Sequence, residues 1–379
     1  MGLEIKDTMK HTSLYQAHLD HQARMVPFGG WEMPLQYAGI RQEHLAVRKT
    51  GGLFDISHMG EFLIEGPDSC SFLNQCLTNN VTGLDIGSGQ YTLMCNEQGG
   101  TVDDLYLYRL EEQSFMMVVN ASRIQADWEW LMHQKDQHIG SPNAVQCHNL
   151  SDQLGALAFQ GPLVRTVLDR IAENTPNPIA TMKKNQIQWG MIGGSRVRIA
   201  TTGYTGEDGF ELIADQGEMP HLWERILSEG KKEGICPAGL GARDTLRTEM
   251  GYPLYGHELS EEIDPLQAGL GFFVDLQKPD FVGKSALVQK KNKGLDPCSV
   301  AFLMQGKSAP PRPEYRVADA QGNKIGVVTS GTMSPSLETG LGMALIQTSM
   351  AHPGTTLQIE IRNRWFPAQV CKKPLYRKT

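Results

Sequence analysis

Apolar and polar positions alternate most clearly between residues 91 and 130, where the chain reads as strand, turn, strand, strand, helix. Residues 91–95 are a short apolar run, and Asn96-Glu97-Gln98-Gly99-Gly100 has the length and glycine content of a hairpin turn. Residues 102–110 form a second run rich in β-formers, residues 115–120 a third, and 122–135 a helix. Side chains alternate faces along a strand, so Asp104, Tyr106 and Tyr108 share one face while Asp103, Leu105 and Leu107 share the other. If the leucines point into a core, Asp104 stands with two tyrosines where a carboxylate can meet a ligand. Asp103 is then left to turn or backbone hydrogen bonds. On spacing alone, two acids after a Gly-Gly turn are more commonly a solvated pair.

Apolar positions at helical spacing through Leu14, Tyr15, His18 and Ala23 predict a first helix, capped by Thr12 or Ser13 and ending before Pro27. Residues 28–34, dense in Gly, Pro and aromatics, read as a loop. A strand over 61–65, a short helix over 67–76 and a polar link over 138–142 follow the same logic. Residues 157–162 run from a buried strand into a helix at Gly161-Pro162. Strands over 196–202 and 210–214 flank a glycine turn, 203–209, whose tip has so little side-chain bulk that a ligand can approach its backbone. Residues 219–229 are an amphipathic helix. Residues 237–249 form another, entered through a Gly-containing turn, with Arg243 and Arg247 one turn apart on one face. Residues 289–297 read as a polar, basic linker. Beyond it six short β runs in about 80 residues predict a small β-barrel or jelly-roll-like domain. The chain is thus expected to be an α+β multidomain protein. Residues 1–50 plus 146–280 make a discontinuous central domain, 51–145 an inserted α+β domain carrying the hairpin, and 281–379 the barrel domain.

Composition narrows the chemistry. With 379 residues, 40% hydrophobic and 20% charged, the chain is an ordinary globular protein. Its net charge of −7 argues against nucleic acid as a partner. Seven scattered cysteines without a C-x-x-C pair indicate neither a disulfide framework nor a zinc site. No apolar run approaches the ~20 residues that span a bilayer, so no membrane partner is expected. The first residues match neither a secretory nor a transit pattern, and the expected location is the cytoplasm, or the mitochondrial matrix in a eukaryote. His58 has Asp55 as its nearest acid and no second ligand at zinc spacing, and reads as a packed histidine bonded to backbone. Glu207 and Asp208 would repel a phosphate from the 203–209 turn, which is no P-loop.

Several separated segments resemble the glycine cleavage system T-protein (aminomethyltransferase) family, in that family's order. They are Gly30-Trp31-Glu32-Met33-Pro34, Phe54 through Gly60, the N-E-x-G-G-x-x-D-D-L of residues 96–105, GYTGEDGFEL of 203–212, LYGHEL of 254–259, residues 329–337, and the closing Pro374-Leu375-Tyr376. Thr248-Glu249-Met250-Gly251 departs slightly from the family's L-E-A-G. The resemblance implies a three-domain cloverleaf folate-binding architecture with Asp104 as the catalytic residue. Tyr91, Asn120, Tyr204, Glu211 and Arg243 would be the folate-binding residues. It makes Glu211 the partner of the pterin edge, whose adjacent N–H donors a carboxylate accepts in pairs, and Arg243 the anchor of a substrate carboxylate.

The implied reaction moves the one-carbon unit from the aminomethyl-lipoyl arm of the H-protein to tetrahydrofolate. Ammonia leaves, and methylenetetrahydrofolate and dihydrolipoyl H-protein form. Tetrahydrofolate is a co-substrate, and no metal, flavin or nicotinamide is expected, in line with the absence of a G-x-G-x-x-G fingerprint. The free protein is expected to be a monomer. The H-protein of this family is expected to be acidic, so it would dock on local basic residues, namely Lys290, Lys291, Lys293, Lys372, Lys373, Arg377 and Lys378. Two other readings share the fold. The folate-dependent part of dimethylglycine or sarcosine dehydrogenases usually carries a large flavin domain for which 379 residues leave no room. Folate-binding proteins of iron–sulfur maintenance or tRNA modification carry a K-G-C-Y-x-G-Q-E motif that this chain lacks.

Overall fold

The computed structural model describes residues 9–137 and 144–378. The polar link expected over 138–142 lies outside the described residues. The chain divides into two compact units. The first comprises Met1–Gly60, Leu150–Gly203 and Glu207–Arg243, and the second Glu61–Asn149, Tyr204–Gly206 and Asp244–Thr379. Among the described residues, no helix is long and apolar enough to cross a membrane.

The first unit is built on a seven-stranded sheet in the order Ala172–Glu173, Ile187–Ile192, Ser195–Ala200, Gly209–Asp215, Leu154–Gln160, Gly52–Asp55, Cys236–Pro237. Its pairings are antiparallel except the last, which is parallel. The helices Val164–Ile171 and Met219–Gly230 bury Val167, Leu168, Leu222, Trp223 and Ile226 in one core with Phe159, Phe210 and Leu212. Phe210 and Leu212 therefore face that core, and Glu211 between them faces the opposite way. Its cross-strand neighbours are Ala200 on one side and Ala158 on the other, so neither fills the space around the carboxylate.

Two expectations for the amino-terminal stretch give way here. The first helix spans Tyr15–Asp20 only; Leu14 is its cap position, and the Thr12 hydroxyl donates to Asp55 at 2.7 Å. The expected loop over 28–34 is the turn and returning strand of a hairpin, Arg24–Phe28 with Trp31–Gln36, turning at Gly29-Gly30 with φ of 55° and 85°. Pro27 and Pro34 disguised it. In a two-stranded ribbon each strand is an edge, where a proline's missing N–H costs no ladder bond.

The second unit holds a five-stranded sheet in the order Ser88–Cys95, Thr101–Glu111, Ser114–Val119, Gly60–Glu65, Gln146–Asn149. One face packs Leu105, Leu107, Phe115 and Met117 against the helices Ser69–Cys76 and Ile124–Gln137. The hairpin turn is pinned from outside the sheet. Thr101 N–H donates to the Ser260 carbonyl at 2.9 Å, Thr101 Oγ1 to the Ile263 carbonyl at 2.9 Å, and Asn96 Nδ2 to the Glu261 carbonyl at 3.1 Å. A Cβ on Gly100 would lie 1.7 Å from the Glu261 oxygen, so this turn demands glycine. The six expected β runs at the carboxyl end form a closed antiparallel barrel in the order Cys298–Met304, Gly340–Ile346, Lys324–Met333, Arg316–Ala318, Thr356–Ile361, Arg364–Cys371.

The expected linker over 289–297 is in its first half a helix, Lys284–Lys293. It has no apolar stripe for a sequence pattern to show, because Leu287 is its one buried residue. Lys290 is thereby tied to Asp264 at 3.2 Å. Lys373 is packed against Gly251, and burial pushes its pKa down. Neither lysine is the freely solvated charge expected of a linker or tail.

Candidate functional site

The strand Thr101–Glu111 presents its two acids to different surroundings, as strand alternation requires. Asp103 is fully buried on the face of Leu105 and Leu107. Asp104 is on the other face, beside Tyr91 of the neighbouring strand, and keeps part of its surface open. Tyr91 Oη donates to Asp104 Oδ2 at 2.9 Å, and Asn120 Nδ2 to Asp104 Oδ1 at 3.0 Å. Asn120 stands where the strand Ser114–Val119 ends. Its N–H donates to Asp103 Oδ2 at 3.0 Å and its amide to Asp103 Oδ1 at 2.9 Å. Tyr91, Asn120 and Asp104 therefore form one hydrogen-bonded cluster, with Asp103 anchoring it from behind.

Burial, and then the neighbouring charge of Asp103, push the Asp104 carboxyl up to about 7, although the hydrogen bonds from Tyr91 and Asn120 favour its anion. Burial and the Asp104 charge push Tyr91 well above the usual phenol range, so it stays a proton donor. Its ring meets Phe273 edge-on at 4.7 Å. Tyr204, in the same unit, donates its hydroxyl to the Pro253 carbonyl, and its ring stacks on Tyr252 with centroids 5.7 Å apart. This stacked pair is a flat aromatic surface on which the Tyr204 hydroxyl is already satisfied.

Glu211 and Arg243 belong to the first unit. Thr202 Oγ1 donates to Glu211 Oε2 at 2.6 Å, which orients the carboxylate. Arg243 Nη2 lies 3.9 Å from Met59 Sδ. The glycine turn is held by its own acids: Glu207 pairs with Arg48 at 3.0 Å, both buried, and Asp208 with Arg165 at 2.8 Å. Those acids hold the backbone in place as much as they exclude a phosphate. Arg247, one turn after Arg243, is buried between Asp244 at 2.7 Å and Glu258 at 3.3 Å.

His58 is buried as expected, meeting Phe28 edge-on, but its Nδ1 has no hydrogen-bond partner among the described residues. Burial, opposed by Asp55 and aided by Arg243, lowers it to about 4, so the ring is neutral. Among the described residues no group of three or more His, Cys, Asp or Glu is arranged to hold a metal ion. Three residues beside these groups were not singled out from the sequence: Thr202 in the first unit, and Tyr252 and Asp127 in the second. For Asp127 a signal exists, since it lies four residues before the buried Leu131 and so on the helix's inward stripe. Its carboxyl is wholly buried against Asp103.

Two family models match the chain: the GCVT N-terminal domain over residues 14–278 and the glycine cleavage T-protein C-terminal barrel domain over residues 299–377. The aminomethyltransferase of Caldanaerobacter subterraneus subsp. tengcongensis is 41% identical over 100% of this chain and 98% of its own length. That of a Geobacillus species is 43% identical over 98% of this chain and 99% of its own. The crystal structure of glycine cleavage system aminomethyltransferase T from Bartonella henselae superposes with a TM-score of 0.89 at 34% identity, covering 97% of this chain and 98% of that one. The chain belongs to the glycine cleavage T-protein family.

Proposed function

We propose that the protein is the aminomethyltransferase of the glycine cleavage system, working on the aminomethyl-lipoyl arm of the H-protein with tetrahydrofolate as co-substrate. The observation that carries the reading is the Asp104 carboxyl, fixed by Tyr91 and Asn120 and poised to exchange a proton at about 7. A base is most effective when its pKa lies near the working pH.

In the reaction the carbon exchanges its bonds to sulfur and to the amine for bonds to two folate nitrogens. The two N–H protons of the folate end on the lipoyl sulfur and on the departing ammonia, so no external oxidant or reductant is consumed. Positive charge develops on the attacking folate nitrogen, and the Asp104 anion stabilises that charge and accepts the proton. Tyr91 and Asn120 hold the anion in place, so little reorganisation remains to be done during the reaction. Glu211, already oriented by Thr202, is suited to accept the paired N–H donors of the pterin edge. Arg243 supplies a cation for a substrate carboxylate, and the Tyr204–Tyr252 pair a stacking surface for a planar ring. H-protein docking would rest on the basic residues of the helix Lys284–Lys293 and of the carboxyl end, namely Lys291, Lys293, Lys372, Arg377 and Lys378.

The test is ammonia release from lipoylated H-protein loaded with the aminomethyl group, with and without tetrahydrofolate. Folate-dependent release supports the reading; release that folate does not accelerate overturns it.

A further inference from the structure

Behind the Asp104 cluster lies an acid for which the reaction above has no use. Asp127, in the first turn of the helix Ile124–Gln137, is 0% exposed, and among the described residues neither of its carboxyl oxygens, taken as an ionised acceptor, has a hydrogen-bond partner. The nearest cation does not compensate it. Arg123 Nε is 3.9 Å away, and that guanidinium is committed elsewhere, Nε to the Val102 carbonyl at 3.0 Å and Nη2 to Glu261 at 2.9 Å, with its face on the Tyr255 ring. What Asp127 does face is another acid, the carboxyl of Asp103, with which it can share a side-chain hydrogen bond once one of the two holds a proton. Two carboxyls can share a hydrogen bond only if one of them holds a proton.

The surroundings decide which one. Asp103 already accepts two N–H groups from Asn120, an arrangement that favours the anion. Asp127 accepts none, so the neutral acid is its stable form.

We propose that Asp127 is a protonated positioning residue: its O–H donates to the Asp103 carboxylate, which fixes Asn120, which in turn fixes Asp104. The proposal rests on the reading of Asp104 as the base. Every link is a contact between neighbours: Asp127 to Asp103, Asp103 to both N–H groups of Asn120, and Asn120 Nδ2 to Asp104 Oδ1 at 3.0 Å. The other groups facing the pair are Arg123, Glu261, Tyr255 and, beyond Asp104, Tyr91. Burial and then the Asp103 charge push the Asp127 carboxyl up to about 11, which keeps it neutral throughout the working range. The same Asp103 charge contributes to raising Asp104. A second anion at Asp127 would raise Asp104 further and take the base out of its working range.

The experiment compares Asp127→Asn and Asp127→Ala with the native protein. Infrared difference spectra at about pH 8, where an ordinary carboxyl is fully ionised, are expected to show a carboxylic-acid carbonyl band that both variants lose. Asp127→Asn exchanges one neutral donor for another. The midpoint of the acid limb of turnover is therefore expected to stay within about 0.3 unit of native, since no charge near Asp104 changes. Asp127→Ala leaves Asp103 without its donor. Turnover is expected to fall about 10-fold or more with folate affinity retained, and Asp127→Asn to recover most of that loss.

The buried Glu61, which burial also holds protonated, contributes equally to both spectra and cancels, so a native-minus-Asp127→Asn difference spectrum without a carboxylic-acid band overturns the proposal. So does an acid limb displaced downward by about a unit in that variant, which would mean that an anion had been removed. An Asp127→Ala protein that loses thermal stability alone, with native turnover, also overturns it. If Asp127→Ala does not fold, the infrared band and the Asp127→Asn limb still decide. The infrared result is independent of activity, so it stands or falls separately from the role of Asp104.

Discussion

Replacing Asp104 by Asn separates chemistry from binding and from folding in one side chain of nearly unchanged size. The native carboxylate takes two hydrogen bonds, from Tyr91 Oη at 2.9 Å and from Asn120 Nδ2 at 3.0 Å. An asparagine can keep one of them through its carbonyl oxygen, while its NH2 group meets the other donor. The loss of one such bond costs about 1 kcal/mol, and relief of the buried charge beside Asp103 offsets part of it. Stability should therefore change little. Turnover should fall by about 10²-fold or more, the scale of a positioned acid–base group, which corresponds to about 2.7 kcal/mol in the barrier. Ammonia release at saturating folate and H-protein measures the turnover, titration calorimetry the folate affinity, and thermal melting the fold. Asp103→Asn should show the reverse weighting. It disturbs the buried attachments to Asn120 and Asp127, so the melting temperature drops clearly while turnover drops less than for Asp104→Asn. An Asp104→Asn protein with near-native turnover, or an Asp103→Asn protein that is fully stable but inactive, would refute the assignment of the two faces.

Turnover of the native protein should have an acid limb with a midpoint near 7, rising toward alkaline pH as Asp104 loses its proton, and Asp103→Asn should move that limb downward by removing the charge that helps raise it; rate measurements across pH check both. The linked stability runs the opposite way. A carboxyl raised from 3.8 to about 7 contributes its stabilisation fully below the unfolded value and loses it as pH rises through about 7, which melting curves against pH would record. Glu211→Ala and Arg243→Ala should each weaken folate binding by about 1.5–3 kcal/mol with the fold intact, the worth of a charge-assisted contact; unchanged calorimetric affinity in both would move the site elsewhere. Gly100→Ala should lower the melting temperature sharply, because its Cβ would lie 1.7 Å from the Glu261 oxygen and the hairpin turn would have to leave the segment that pins it; a native melting curve would show that the turn can shift freely.

The parts of the structure that local pattern reveals are those in which one face is buried and the other is not. The period of two along residues 101–111 separates Asp103 from Asp104 because Leu105 and Leu107 are committed to the core, and a one-residue slip would have exchanged the acids. The six barrel strands were legible for the same reason, each being a short β run bounded by turn residues. Where an element lacks a buried face the pattern is silent. The helix Lys284–Lys293 buries one residue, and the hairpin formed by Arg24–Phe28 and Trp31–Gln36 carries prolines that only its edge position tolerates. Asp127 is a third kind of case. Its inward position follows from helical spacing, but an acid on an inward stripe makes sense only once its partner is known, and Asp103 comes from a strand 24 residues earlier through a contact that no local pattern encodes. The acid–acid contact is costly unless a proton is shared. A buried aspartate in the first turn of a helix is therefore a reason to look for a second carboxyl across the core, and here that second carboxyl holds Asn120, which in turn holds Asp104.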